Sequence, residues 1–116
     1  MAQLPIDSEK KTMVIEWLQF RVNPEHREQF VQQDAEIWTP VLARYPGFSG
    51  KEVWVSPDSP EIIIIIRWET REQWKAIPET VLIETEAKFA QAMGNTYDLV
   101  EGKEYQLRKF PYRFQE

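Results

Sequence analysis

Hydrophobic positions along the chain follow two rhythms, an alternation with period two and a stripe with period near 3.6, and one segment obeys neither. Residues 13–22 alternate. Val14, Leu18, Phe20 and Val22 share one face, while Met13, Ile15, Trp17, Gln19 and Arg21 share the other, which predicts a first strand. Asn23-Pro24-Glu25 then supplies an N-cap acceptor, a proline preset for the first helical position and an acid in the first turn. A helix is predicted to about Tyr45. Phe30, Val31, Ile37, Trp38, Val41, Leu42 and Tyr45 form its apolar stripe, and Glu28, Gln32, Gln33 and Glu36 face water. Pro40 lacks an amide hydrogen to donate, which predicts a kink.

The segment outside both rhythms is Ile62-Ile63-Ile64-Ile65-Ile66, closed by Arg67-Trp68-Glu69. A strand sends alternate side chains to opposite faces, so an unbroken run of β-branched residues needs cover on both. At the edge of a sheet it would invite intermolecular pairing, so a central position is predicted. It is far too short to span a bilayer, which takes about 20 apolar residues. Pro46-Gly47 ends the helix before it, and residues 48–56 read as a second strand. The turn Pro57-Asp58-Ser59-Pro60 makes the isoleucine strand return antiparallel.

Thr70 with Gln73 three residues later has the capping-box spacing and opens a short helix carrying Trp74, which stops near Ile77-Pro78. A further helix over 79–93 places Leu82, Phe89, Ala90 and Met93 on one side and stops at Gly94-Asn95. Residues 97–110 read as a last strand, with Gly102 as the expected site of a bulge or break. The order βαββαβ predicts an α+β, ferredoxin-like split βαβ domain with a four-stranded antiparallel sheet and both helical regions on one face. The other face then has nothing from the same chain to cover it. A homodimer through that face, closing a dimeric α+β barrel, is the expected solution.

The chain has 116 residues, enough for one core, and no shift of composition marks a second domain. The expected division is a mobile N-terminal arm over 1–12, one domain over 13–110 and a tail over 111–116 that packs on the partner. A formal charge of −5 argues against nucleic acid or an anionic membrane as partner. With no cysteine and one histidine, disulfides, thiolate chemistry and a protein-built metal site are not expected. The first residues lack the pattern of a secretory signal, so a cytoplasmic location is expected. The four glycines form no phosphate cradle or dinucleotide fingerprint.

Strand one running into Asn23-Pro24-Glu25, the helix end Tyr45-Pro46-Gly47-Phe48, and the isoleucine strand closing on Trp68-Glu69-Thr70-Arg71-Glu72-Gln73 resemble the antibiotic biosynthesis monooxygenase (ABM) superfamily. The likeness covers about residues 13–110 and runs to a small bacterial subfamily. It implies a dimer with a hydrophobic pocket in each subunit between the sheet and its helices. Some members of that superfamily oxidise anthrone or quinol-type compounds with dioxygen and no cofactor. Others degrade haem with an Asn on strand one and a Trp and a His on the second helix. Here Trp17 stands near the strand-one position and no histidine lies in 70–94, so the haem-degrading set is missing and no cofactor is expected.

Five tryptophans are many for this length, and Trp17, Trp38 and Trp68 are candidate pocket residues for a flat aromatic ligand, with Trp54 and Trp74 behind them. The same rings would equally serve the core and the dimer seam. Tyr45, Tyr97 and Tyr105 are candidate donors to a ligand oxygen. His26 is the formal candidate base, since an unperturbed imidazole titrates near neutrality, although its setting beside Glu25, Arg27 and Glu28 suits a solvated surface residue. Glu16 on strand one is either paired with Arg67 or a catalytic carboxylate. Arg108-Lys109-Phe110-Pro111-Tyr112-Arg113-Phe114 mixes cations and aromatics as nucleic-acid contacts do, but it is short and the chain is acidic. Two functions stay open: a cofactor-independent monooxygenase acting on an aromatic or quinol-like small molecule, and a non-catalytic dimeric module of the same fold that binds a small apolar ligand or assembles.

Overall fold

A computed structural model describes residues 12–108 of the chain. The expected arm up to residue 11, the tail 111–116 and all but Arg108 of the basic-aromatic segment lie outside the described residues. The elements run β1 (Val14–Val22), a 3-10 turn (Pro24–His26), α1 (Arg27–Gln33), a π-helical turn (Asp34–Trp38) and α2 (Thr39–Ala43). They continue with β2 (Phe48–Val55), β3 (Glu61–Trp68), α3 (Arg71–Lys75), α4 (Glu79–Met93) and β4 (Tyr97–Gln106). The sheet order is β2-β3-β1-β4 with every neighbour antiparallel, which is the ferredoxin-like α+β arrangement. The isoleucine strand β3 is therefore interior, hydrogen-bonded along both edges.

Register decides what each side chain meets. Val14, Glu16, Leu18 and Phe20 stand opposite Trp68, Ile66, Ile64 and Ile62, so these eight share the helix-facing side. Ile62, Ile64, Ile66 and Trp68 join Phe30, Leu42, Ile77, Phe89 and Met93 of the helical layer in one buried core. Ile65 is also buried but stands outside that cluster, on the opposite face with Ile63 and Arg67. There the cover is thin and partly charged: Glu52 accepts from both Arg67 (3.0 Å) and the Trp54 indole (2.9 Å), and Lys103 lies over Trp17.

Four local expectations are revised. Glu16 does not pair with Arg67, because the register sends them to opposite faces. Asn23 caps through its backbone, its carbonyl accepting from the His26 amide at 2.8 Å, with no side-chain bond. Strand irregularity falls at Val100 rather than Gly102, since Gln19 pairs with Glu101 and Phe20 with Leu99 while Gly102 stays in register opposite Leu18. β4 ends at Gln106, and residues 109 and 110 lie outside the described ones.

The kink expected at Pro40 is absorbed one turn earlier. The Thr39 amide reaches back to the Asp34 carbonyl, a span of five residues, so a wide turn precedes the proline. A proline would otherwise clash with the carbonyl four positions back and leave it without a donor. Inserting one residue into a turn rotates the rest of a helix by about 100°.

The Pro46-Gly47 stop and the α3 cap form one unit. Gly47 has φ +93°, and a Cβ there would run into the Gln73 side chain. Gln73 in turn donates its amide to Thr70 Oγ1 at 3.1 Å, and the Gly47 carbonyl accepts from the Glu69 amide at 2.7 Å. Gly47→Ala is predicted to cost about 2 kcal/mol or more, from the disallowed backbone plus overpacking. Urea denaturation checks this, and an unchanged midpoint contradicts it.

Candidate functional site

The helical layer does not close completely on the sheet, and a cavity of about 520 Å³ remains between them. Its floor is the helix-facing side of the sheet: Glu16, Leu18 and Phe20 of β1, Ile64 and Ile66 of β3, Lys51 of β2, and Tyr97 and Leu99 of β4. Asp34, Trp38 and Leu42 come down from the first helical segment, Trp74 and Ile77 from α3 and its exit, and Leu82, Glu86 and Ala90 from α4. Such a volume, mostly apolar with a few polar groups, suits a flat organic molecule.

The expected pocket residues separate by face and depth. Trp38 lines the cavity, placed there by the π-helical turn that it ends. Trp68 lies behind the wall, wholly buried and edge-on to Phe48 at 5.7 Å between ring centroids. Trp17 is on the far face of the sheet, opposite Ile65. Tyr45 packs against the core after α2 without lining the cavity. His26 sits at the surface, its Nδ1 3.2 Å from Gln29 Oε1 and its Nε2 3.8 Å from Glu25. Tyr97 reaches the cavity but donates its hydroxyl to Glu86 at 2.6 Å, and burial with that carboxylate pushes its ionisation well above the usual tyrosine range. Tyr97 is thus a neutral donor already engaged.

The charged groups of the cavity carry its chemistry, and two of them, Lys51 and Asp34, form a closed unit with the Thr39 hydroxyl. Lys51 Nζ lies 2.9 and 2.8 Å from the two Asp34 carboxylate oxygens and donates to Thr39 Oγ1 at 2.9 Å. Both ionic side chains are about 5% exposed. Burial pushes the Asp34 pKa up despite the ammonium, because desolvation outweighs even this contact. Asp34 follows Phe30 by four residues and precedes Trp38 by four, so it interrupts the apolar stripe; that interruption was its signal in the sequence. Lys51 likewise stands in β2 on the face of Val53 and Ile64.

Glu16 is the second acid of the cavity, half-buried on its floor. Burial raises its pKa above the ordinary glutamate value, opposed first by the Trp68 indole and then by the Lys75 and Lys51 charges. Trp68 Nε1 completes no hydrogen bond of good geometry with any group, yet its N–H is near enough to the Glu16 carboxylate to favour the charged form. It is therefore a buried donor held in reserve beside a carboxylate that faces a cavity. Across the strand stands Glu104, whose charge is taken up by Arg71 at 2.5 Å. That pair relieves what would be a like-charge contact.

Among the described residues no group of three or more His, Asp or Glu side chains is arranged to hold a metal ion, and no helix is long and apolar enough to cross a membrane. Lys51→Met is predicted to destabilise the fold by about 3–5 kcal/mol at neutral pH by stranding the Asp34 carboxylate, and the double change with Asp34→Leu to restore most of it. Chemical denaturation of the three proteins checks this; additive losses contradict it.

Solved structures with the same architecture include SnoaB from Streptomyces nogalater, described as a cofactor-independent oxygenase. It shares 18% identity over 85% of this chain and 96% of its own, with a TM-score of 0.61. The ActVA-Orf6 monooxygenase of Streptomyces coelicolor, solved with the ligand nanaomycin D, shares 12% identity over 95% and 100% with a TM-score of 0.69. A conserved protein from Methanosarcina mazei Go1 shares 12% over 90% and 100% with a TM-score of 0.59. At these identities the likeness is one of fold. No curated protein sequence matches the chain. Residues 13–80, more than half of the chain, match the family described as antibiotic biosynthesis monooxygenase, and the chain belongs to that family.

Proposed function

We propose that this protein is a cofactor-independent monooxygenase that oxidises a flat, electron-rich aromatic or quinol-like compound in the cavity between sheet and helices, and that it works as a homodimer. The observation that carries this reading is a cavity of about 520 Å³ with a half-buried carboxylate of raised pKa, Glu16, on its floor. A non-catalytic module of the same fold would have its interior filled by indole rings; instead Trp38 and Trp74 border open space. SnoaB, a cofactor-independent oxygenase with this fold, supports the same choice.

The chemistry asks little of the protein. An electron-rich ring that has lost a proton can itself pass an electron to dioxygen, so the site has to bind the ring, receive the proton and keep bulk water away from the anion. Trp38 and Trp74 offer stacking surfaces, and the Ile64 and Ile66 floor excludes water. Oxygen uptake in the presence of anthrones and quinols checks the activity. Consumption above the buffer rate is expected, with Trp38→Ala lowering kcat/KM about tenfold for loss of an aromatic contact. His26→Ala should leave the rate unchanged. Consumption no faster than in buffer contradicts the reading.

The dimer follows from the uncovered face. Trp54, Val100 and Tyr105 are about half exposed, and Ile63 is only half-buried within one chain. Apolar surface of this kind is rarely left to water, and the face contains the central strand. Sedimentation at micromolar concentration is expected to give twice the chain mass, and a lone protomer contradicts the dimer.

A further inference from the structure

We propose that Glu16 is the proton acceptor of the site, and that its substrate is an anthrone-type ring carrying no carboxylate. This rests on the oxygenase reading and adds a residue and a charge class to it. Glu16 projects from the middle of β1 into the cavity, with Ile66 beside it on one strand and the Arg71-neutralised Glu104 on the other. The Trp68 indole stands behind it as a donor without another partner. Of the other acids lining the cavity, Asp34 is occupied by Lys51, Glu86 by Tyr97, and Asp98 is exposed to solvent. Glu16 is thus the half-buried carboxylate of the cavity floor that is free to receive a proton from a ligand.

The charge class follows from the same inventory. Glu16, Asp34, Glu86 and Asp98 face the cavity against a single lining cation, Lys51, which Asp34 already holds. A ligand carboxylate would enter with no cation to meet it and four acids to repel it. A neutral ring meets neither cost.

The step balances with dioxygen as oxidant. The Glu16 carboxylate takes a proton from the CH2 carbon of the anthrone, leaving its electron pair on the ring system as an enolate. The enolate gives electrons to dioxygen, a C–O bond forms, and the resulting peroxide anion takes the proton back from the Glu16 carboxylic acid. Loss of the remaining hydrogen of that carbon as a proton, with cleavage of the O–O bond, yields a carbonyl and one water. A carboxylate whose pKa lies nearer neutrality is the better base for this exchange. Lys75 from α3, Lys51 from β2, Asp34 from the π-helical turn, Glu104 from β4 and Glu86 from α4 are the charged groups around it.

The test follows oxygen consumption and quinone formation by the full chain across pH, with 1,8-dihydroxyanthrone and a ring-carboxylated anthrone as probes. The neutral probe should be preferred at least tenfold in kcat/KM. Wild type should show an acid limb above the ordinary glutamate range. Glu16→Gln should lower kcat about a hundredfold or more with KM nearly unchanged and should abolish that limb, while Glu16→Asp restores part of the rate. Circular dichroism confirms that each variant is folded. Full kcat with the limb intact in Glu16→Gln overturns the role of Glu16, and equal use of the two probes overturns the charge class. No turnover by wild type with any anthrone removes the oxygenase reading itself and this proposal with it.

Discussion

Everything in this molecule is arranged around a strand that has no polar side. Five isoleucines in succession cannot alternate between core and water, so β3 has a neighbour on each edge and apolar demand on both faces. The helices meet the demand of Ile62, Ile64 and Ile66, and Trp68 extends the same row into the deepest part of the core. The opposite row is shielded mainly by register neighbours such as Trp17 and the Glu52–Arg67 pair. That imbalance leaves one face under the helices, around the cavity, and the other thinly covered among the described residues.

On the helix-covered side the same register that buries the isoleucines brings Glu16 next to Ile66 and Lys51 across from it. Two acids are thereby desolvated a short way apart, but with different fates. The Asp34 carboxylate meets the Lys51 ammonium, which also donates to Thr39 Oγ1, and becomes a strut between β2 and the π-helical turn. Glu16 meets only an indole N–H and the more distant lysines, so its charge remains costly and its proton exchangeable. One environment compensates its carboxylate with an ion pair, and the other leaves its carboxylate with a raised pKa.

The order of the elements along the chain, the capping of α3 by Thr70 and the Pro46-Gly47 stop were legible in the sequence because each depends on residues within a few positions of one another. The site was less so. Val14, Leu18 and Phe20 were readable as one face, yet the alternation alone does not say which face the helices cover, and a one-residue slip in pairing exchanges the two. That is why Trp17 stood among the pocket candidates and why Glu16 was given Arg67 as a partner. The Asp34–Lys51 contact joins positions seventeen apart through a helix irregularity that Pro40 announces but does not locate. Only the interruption of an apolar stripe by Asp34 hinted at it.

The carboxyl of Glu16 is the group to measure: half-buried, weakly partnered and facing whatever fills the cavity. Carbon-13 NMR of glutamate-labelled protein, assigned through Glu16→Gln, follows that carboxyl directly through a pH titration with and without a neutral anthraquinone. The expected result is a Glu16 signal that titrates above the exposed glutamates and moves higher still when the ligand displaces water. A Glu16 signal that titrates together with the surface carboxylates and ignores the ligand would contradict the account.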